Sequence, residues 1–264
     1  MTTAPSADAA RVAVTPTAVR RLLLVGGSSE IGVAIVRRYA ADGPVAVCLL
    51  GRDRERLEAA RGELSDAGVT CTGLVVVDAE ACETHEAAVG SAFESVGGFD
   101  IVVLAVGRLG GQAGLDADPG ECLEVMRVTF AGAGSLMLEC LRRLRAQGGG
   151  TLVVLSSVAV ERPRAGNPVY GAAKAGLDAL AQGLADAAAG SGIRVLVVRP
   201  GFVRTRMTSG LPVAPMAVSA ADVADATVRA LSGRAHTVWV PGRLRYVFAV
   251  LRHLPRPIFR RLPL

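Results

Sequence analysis

From Arg21 onward, short aliphatic runs alternate with longer stretches whose apolar positions recur every three or four residues. The runs near 21–26, 44–50, 73–77, 100–106, 151–156, 193–199 and 236–240 read as strands. They are rich in Val and Leu without clean alternation, as strands covered on both faces are. Between them, the helical period predicts helices near 30–41, 53–67, 83–95, 119–147, 168–189 and 220–232. This alternation predicts an α/β fold: a doubly wound, seven-stranded parallel sheet forming a single domain over 21–240. Residues 1–20 lack an apolar core and read as a flexible lead-in, and residues 241–264 as a tail.

Composition narrows the class. At 264 residues the chain can bury one full core. Although 51% of it is hydrophobic, no apolar run reaches the ~18 residues that span a bilayer. The five cysteines (Cys48, Cys71, Cys82, Cys122, Cys140) are scattered and lack CxxC spacing, so they predict reduced thiols in a cytosolic protein. His85, His236 and His253 stand too far apart to suggest a metal site.

Charge adds a second region. Of the net +5, residues 241–264 contribute six arginines and no acid, which leaves the rest near neutral. That distribution argues against a protein that coats nucleic acid. In the tail, Leu244, Val247, Phe248, Val250, Leu251 and Leu254 recur at helical spacing among Arg245, Arg252, Arg256, Arg260 and Arg261, until Pro255 and Pro257 break the pattern. A basic amphipathic helix of this kind suits an anionic membrane surface. Docking on the domain or on a second subunit is the competing expectation.

The candidate chemistry lies between Leu152 and Leu177. An aliphatic run delivers Ser156 and Ser157 to a strand end, and Asn167-Pro168 reads as the cap and first residue of a helix. Tyr170 and Lys174 then share one face of that helix. Lys174 is the only lysine among 29 basic residues, so a compact, tunable cation stands where the chain otherwise uses arginine. Ser157, Tyr170 and Lys174 together can hand a proton to a carbonyl oxygen.

A second signal lies at the first strand's exit, where Gly26-Gly27-Ser28-Ser29-Glu30-Ile31-Gly32 runs into a helix. Such a turn admits a pyrophosphate to the helix N-terminus. At the second strand's end, Arg52 suits the extra phosphate of NADP and Asp53 the ribose hydroxyls of NAD. Asp78 stands where an adenine edge would lie, or else caps a helix.

These residues resemble the short-chain dehydrogenase/reductase family over about 21–240. The family's serine, thirteen residues before YxxxK, is matched by Ser157, Tyr170 and Lys174. Its PG turn and following threonine are matched by Pro200, Gly201 and Thr205. The resemblance implies a Rossmann-like fold with catalytic Ser157, Tyr170 and Lys174. It implies a nicotinamide dinucleotide held by Gly26, Ser28, Ser29, Glu30, Ile31, Gly32, Arg52, Asp53, Asp78, Gly107, Tyr170, Lys174, Pro200, Gly201, Val203 and Thr205. In that scheme Tyr170 protonates the nascent alkoxide, with its pKa lowered by Lys174 and the oxidised nicotinamide, and Thr205 holds the carboxamide.

Three departures stand out. Glu30 replaces a glycine of TGxxxGxG, Leu104-Ala105-Val106-Gly107 replaces NNAG, and Thr129 replaces the asparagine of the proton relay.

Within the family, GGSSEIG, RPGFVRTRM (199–207) and the tail are similar to reductases of a keto sugar carried on a polyprenyl phosphate. That likeness implies NADH as reductant, with NADPH possible from Arg52. It also implies a flavin-dependent oxidase partner that makes the ketone, and work at the cytoplasmic face of the plasma membrane. The loop from Phe202 to Ser219 reads as a lid, with Arg204 and Arg206 meeting a substrate phosphate or solvent. Small residues on the Tyr170 helix (Ala172, Ala173, Gly176, Ala179) suggest a homo-oligomer. A reductase of another small ketone and a non-catalytic nucleotide-binding scaffold are the alternatives.

Overall fold

The computed structural model describes residues 19–162 and 164–261. The expected lead-in therefore lies outside the described residues up to position 18, as do the last three residues of the tail. Arg20 already belongs to the first strand.

The elements run β1 (Arg20–Val25), α1 (Glu30–Ala40), β2 (Val45–Gly51), α2 (Arg54–Asp66), β3 (Thr70–Val76), α3 (His85–Val96) and β4 (Ile101–Leu104). Next come α4 (Pro119–Met126), a π turn (Arg127–Gly132), α5 (Ala133–Ala146), β5 (Gly150–Leu155) and α6 (Pro168–Ala187). β6 (Ile193–Pro200), β7 (Val203–Arg204), β8 (Val218–Ser219), α7 (Ala220–Leu231), β9 (Thr237–Val240), α8 (Leu244–Leu251) and α9 (Arg256–Phe259) complete the chain.

The main sheet has seven parallel strands in the order β3-β2-β1-β4-β5-β6-β9. The alternation of aliphatic runs and helical periods therefore foretold it. β1 feeds β2 on one side, and the chain later returns to β4 on the other. This reversal opens a crevice beyond the carboxyl ends of β1 and β4, where doubly wound sheets bind ligands.

Both sheet faces are buried. Leu22 and Leu24 join the side chains of α1, α2 and α7, while Leu23 and Val25 join those of α3, α5 and α6. Fully burying each such leucine is worth roughly 1.5–3 kcal/mol. Period-two alternation cannot appear when both sides of a strand face protein, which is why the strands read as continuous runs.

Three features depart from the pattern. β4 stops at Leu104, two residues early, although the Ala105 N–H still donates to the Val25 carbonyl at 2.7 Å, and Ala105 and Val106 line the crevice. The single helix expected over 119–147 contains the π turn at Arg127–Gly132. A two-stranded ribbon, β7 with β8, braces the base of the expected lid.

The tail does dock on its own domain. Leu244 and Phe248 are buried against Val158, with Met216, Trp239 and Leu251 packed around them. Arg162 donates to the carbonyls of Arg252 and Leu254 at 2.8 and 2.9 Å. The opposite face of α8 exposes Tyr246, Val247 and Val250. On the helix expected to carry subunit contacts, Ala173 is buried in the protomer and Gly176 packs under the Phe130 ring, so only Ala172 and Ala179 remain exposed.

Candidate active site

β5 ends at Leu155, and the next three residues build the reactive corner. Ser157 is extended (φ −163°, ψ 155°), and its Oγ accepts from the Ala159 N–H at 3.1 Å. Ser157 thus caps the short turn that follows β5. The same side chain also acts on the Tyr170 phenol, lowering its pKa. Capping fixes the rotamer that catalysis needs.

Tyr170 and Lys174 are carried by α6, which starts at Pro168 in the first helical position. Asn167 precedes it but makes no side-chain cap, contrary to expectation. Lys174 is 4% exposed, and its Nζ donates to the carbonyls of Leu155 at 2.8 Å and Val106 at 3.2 Å.

Burial sets the electrostatics of the pair. Burial pushes the Tyr170 phenol up to about 12, against a smaller lowering by the Ser157 hydrogen bond. Burial pulls the Lys174 ammonium down to about 8, with Asp178 opposing. Lys174 directs two of its three donors at the carbonyls of Leu155 and Val106. A reductase starts with its acid protonated, and Tyr170 is so at any physiological pH.

The crevice beside this corner is a cavity of about 600 Å³, within the ~300–1,000 Å³ usual for ligand sites. Gly26, Ser28, Ser29, Glu30, Ile31, Arg52, Asp53, Asp78, Gly107 and Thr205 all line it, as expected for a dinucleotide cradle. At Gly26 (φ +88°) a Cβ would stand 2.6 Å from the Ala105 carbonyl oxygen, so only glycine fits. Ser29 caps α1 by accepting from Gly32 N–H at 3.2 Å. The amides at that helix start suit a pyrophosphate.

Other assigned residues serve the scaffold. Gly32 lets α1 press on Leu24, where a Cβ would come within 2.6 Å of a methyl group. Pro200 is buried in β6, Gly201 gives room to Leu244 of the tail, and Val203 is in the core. These four do not line the cavity, and neither Tyr170 nor Lys174 is part of its wall. Lys174 reaches its edge nonetheless: a Cβ on Gly107 would stand 3.2 Å from Nζ.

On the rim, Asp53 caps α2 through Arg56 N–H at 3.1 Å and pairs with the Arg56 side chain at 3.3 Å. Asp78 accepts from Glu80 N–H at 3.0 Å, so both carboxylates also do local structural work. Thr129 is fully buried and uses its hydroxyl on both backbone groups of Arg108, at 2.9 and 3.1 Å. It steadies the cavity wall from within the π turn.

Arg206 differs most from expectation. It already has partners within the chain. Its backbone N–H and Nε meet Glu30 at 2.6 and 3.2 Å, and a terminal nitrogen donates to the Ser28 carbonyl at 3.0 Å. Arg204 reaches only the Ala217 carbonyl, at 3.4 Å. Arg56, Arg108, Leu109 and Met207 also line the cavity unforeseen. Only their position after strand ends or beside Thr205 could have marked them.

The residues present fit a nicotinamide dinucleotide: a glycine-only turn, a capped helix start and a buried ammonium bordering one cavity. When bound, that group supplies the hydride. The protein's part would be to orient a carbonyl against Ser157 and to donate a proton from the Tyr170 hydroxyl.

Comparisons with known proteins agree with this arrangement. The family model described as short chain dehydrogenase matches residues 20–214. An uncharacterized oxidoreductase from the mprA 5' region of Streptomyces coelicolor is 44% identical over 245 residues, covering 92% of this chain and 96% of its own. The 3-oxoacyl-[acyl-carrier protein] reductase of Brucella melitensis, solved with NAD, superposes with a TM-score of 0.75 at 27% identity, covering 87% of this chain and 99% of its own. An actinorhodin polyketide ketoreductase solved with NADPH gives a TM-score of 0.75 at 25% identity, with 86% and 97% covered.

Proposed function

Because this chain belongs to the short chain dehydrogenase family and is an NAD(P)-dependent oxidoreductase acting on CH–OH donors, we propose that it reduces the 2-keto group of a pentofuranose carried on a polyprenyl phosphate. This is the reaction of a decaprenylphosphoryl-2-keto-pentofuranose reductase, which yields the arabinose form for cell-wall arabinan. The observation that carries the reductase reading is one corner that holds the Ser157 side chain, the half-buried Tyr170 phenol on which it acts, and the buried Lys174 ammonium at the cavity's edge.

The sugar-lipid reading rests on the resemblance of the glycine turn, the RPGFVRTRM run and the tail, with two structural supports. Arg164, in the loop between Ser157 and Tyr170, is half-buried with no partner for Nε among the described residues. An uncompensated guanidinium there suits an anionic substrate. The exposed side of α8 carries Tyr246, Val247 and Val250 among arginines, which suits an anionic membrane surface. No described helix is long and apolar enough to cross a membrane.

In this reading a flavin-dependent oxidase supplies the ketone, at the inner face of the plasma membrane. Exposed Leu123, Met126, Phe130 and Leu138 on α4, the π turn and α5 supply a face for a second copy. NADH is the reductant implied by the resemblance. Arg52, on the rim and without an ion pair among the described residues, favours NADPH. Parallel affinity measurements distinguish the two.

A second reading, reduction of a small soluble ketone, is favoured by the docked tail, whose Leu244 and Phe248 are already buried. The deciding assay mixes the protein, either dinucleotide, and the lipid-linked ketone in anionic vesicles. Cofactor-dependent formation of the arabinose lipid supports the first reading. No such product, together with turnover of soluble ketones and no vesicle binding at low salt, establishes the second.

A further inference from the structure

One buried charged cluster takes no part in the chemistry above. The side chains of Arg199, Asp178 and Glu161 are 11%, 3% and 10% exposed. Two nitrogens of Arg199 grip both carboxylate oxygens of Asp178, at 2.9 and 2.6 Å. Its remaining terminal nitrogen donates to Glu161 at 2.7 Å. Stability is a weak reason to keep such a group, because a well-packed apolar trio of similar volume often serves as well.

What the cluster joins is more informative. Asp178 lies one helical turn beyond Lys174 on α6 and also accepts from the Ser156 hydroxyl at 2.5 Å. Glu161 lies four residues beyond Ser157 and accepts the Trp239 indole N–H at 2.9 Å. One guanidinium therefore spans the two pieces of backbone that must present Ser157 and Tyr170 to the same oxygen.

We propose that Arg199 is a positioning residue for carbonyl reduction: by clamping Asp178 to Glu161 it sets the distance between the Ser157 hydroxyl and the Tyr170–Lys174 face of α6. The inference rests on the reading of those three residues as the reducing set. Two donors reach one oxygen only within tight limits, and a misplacement of ~1 Å can cost about 100-fold in rate. Val158 and Arg162 hold the segment after Ser157 to the tail, and the tie at Glu161 is what joins it to α6 through Arg199.

The charges give a signature that simple packing lacks. Asp178 is the carboxylate that acts on Lys174, Arg199 grips that carboxylate and Glu161, and the ammonium donates to the carbonyls of Leu155 and Val106 beside Gly107. Neutralising Arg199 leaves the carboxylates to act on Lys174 and moves its titration to higher pH. Neutralising Asp178 moves it to lower pH.

The test compares Arg199→Met, Arg199→Lys, Asp178→Asn and the uncharged triple Asp178→Asn/Glu161→Gln/Arg199→Met. Turnover is read with NADH and NADPH on 2,3-butanedione, so it does not depend on the lipid substrate. Dinucleotide affinity and the emission of Trp239, the single tryptophan, are read in parallel. The triple is included because Arg199→Met alone leaves buried carboxylates unpaired and can unfold the chain.

Expected are a kcat lowered ~10- to 100-fold in Arg199→Met and the triple, unchanged dinucleotide affinity, and partial rescue by Arg199→Lys. The Trp239 emission should shift, and the alkaline limb of kcat should move up in Arg199→Met and down in Asp178→Asn. A folded Arg199→Met or triple variant with wild-type kcat and an unmoved limb overturns the inference. Tyr170→Phe in the same assay separates the premises. If it keeps full turnover, the reading of the site falls; if it is dead beside active Arg199 variants, only the role of Arg199 falls.

Discussion

Glu30 and Arg206 meet across the mouth of the dinucleotide cavity, 176 residues apart in sequence and 2.6 Å apart at closest approach. Glu30 stands where the family carries a glycine, and its charge would oppose a pyrophosphate at the start of α1. Arg206, extended from the lid, neutralises it and ties the lid to the turn through the Ser28 carbonyl.

Arg206→Ala is expected to leave that carboxylate unbalanced and weaken NADH binding ~2- to 5-fold, the range of a solvent-exposed ion pair. Adding Glu30→Gly should restore the affinity. Titration by nucleotide fluorescence checks both, and a double variant no better than Arg206→Ala would show that Glu30 is not the cause.

Tyr170→Phe removes the proton donor and leaves the cavity wall in place. Its kcat should fall by roughly 10²–10⁴ with the dinucleotide affinity kept. Ser157→Ala should lose ~10²–10³, because it removes both a donor to the carbonyl and the partner of Tyr170. Steady-state kinetics with direct binding measurements separate these losses from misfolding.

Lys174 gives a pH dependence of defined sign. Its folded-state pKa, about 8, lies below the ordinary 10.5, so between these values the unfolded chain holds more protons and stability rises with pH. The rise should reach about 3 kcal/mol in the protein without dinucleotide. Tyr170, pushed up from 10.0 to about 12, gives the opposite slope above pH 10. Denaturant titrations of wild type and Lys174→Met at several pH values isolate the lysine contribution, and parallel curves would refute it.

Gly132 ends the π turn, where a Cβ would fall inside the Ala79 carbonyl. Gly132→Ala must push the turn off the loop after β3 and should cost ~1–3 kcal/mol. Thr129 would move with it, loosening the backbone of Arg108, so dinucleotide binding should weaken as well. Thermal melts and binding titrations read the two effects.

The sequence by itself determined the parallel sheet, its helices and the reactive trio. Aliphatic runs between helical periods leave few other ways to bury both faces. A four-residue spacing on a helix places Tyr170 and Lys174 together whatever surrounds them. Tertiary structure alone decided the rest. It turned Gly201 toward the tail, gave Arg206 to Glu30, and gave Asp178 to Arg199. It also raised the pKa of the phenol, because burial outweighed the lowering by Ser157. Spacing along a chain reports neighbours within a helical turn, whereas ion pairs and desolvation depend on which distant strands and loops close over a group.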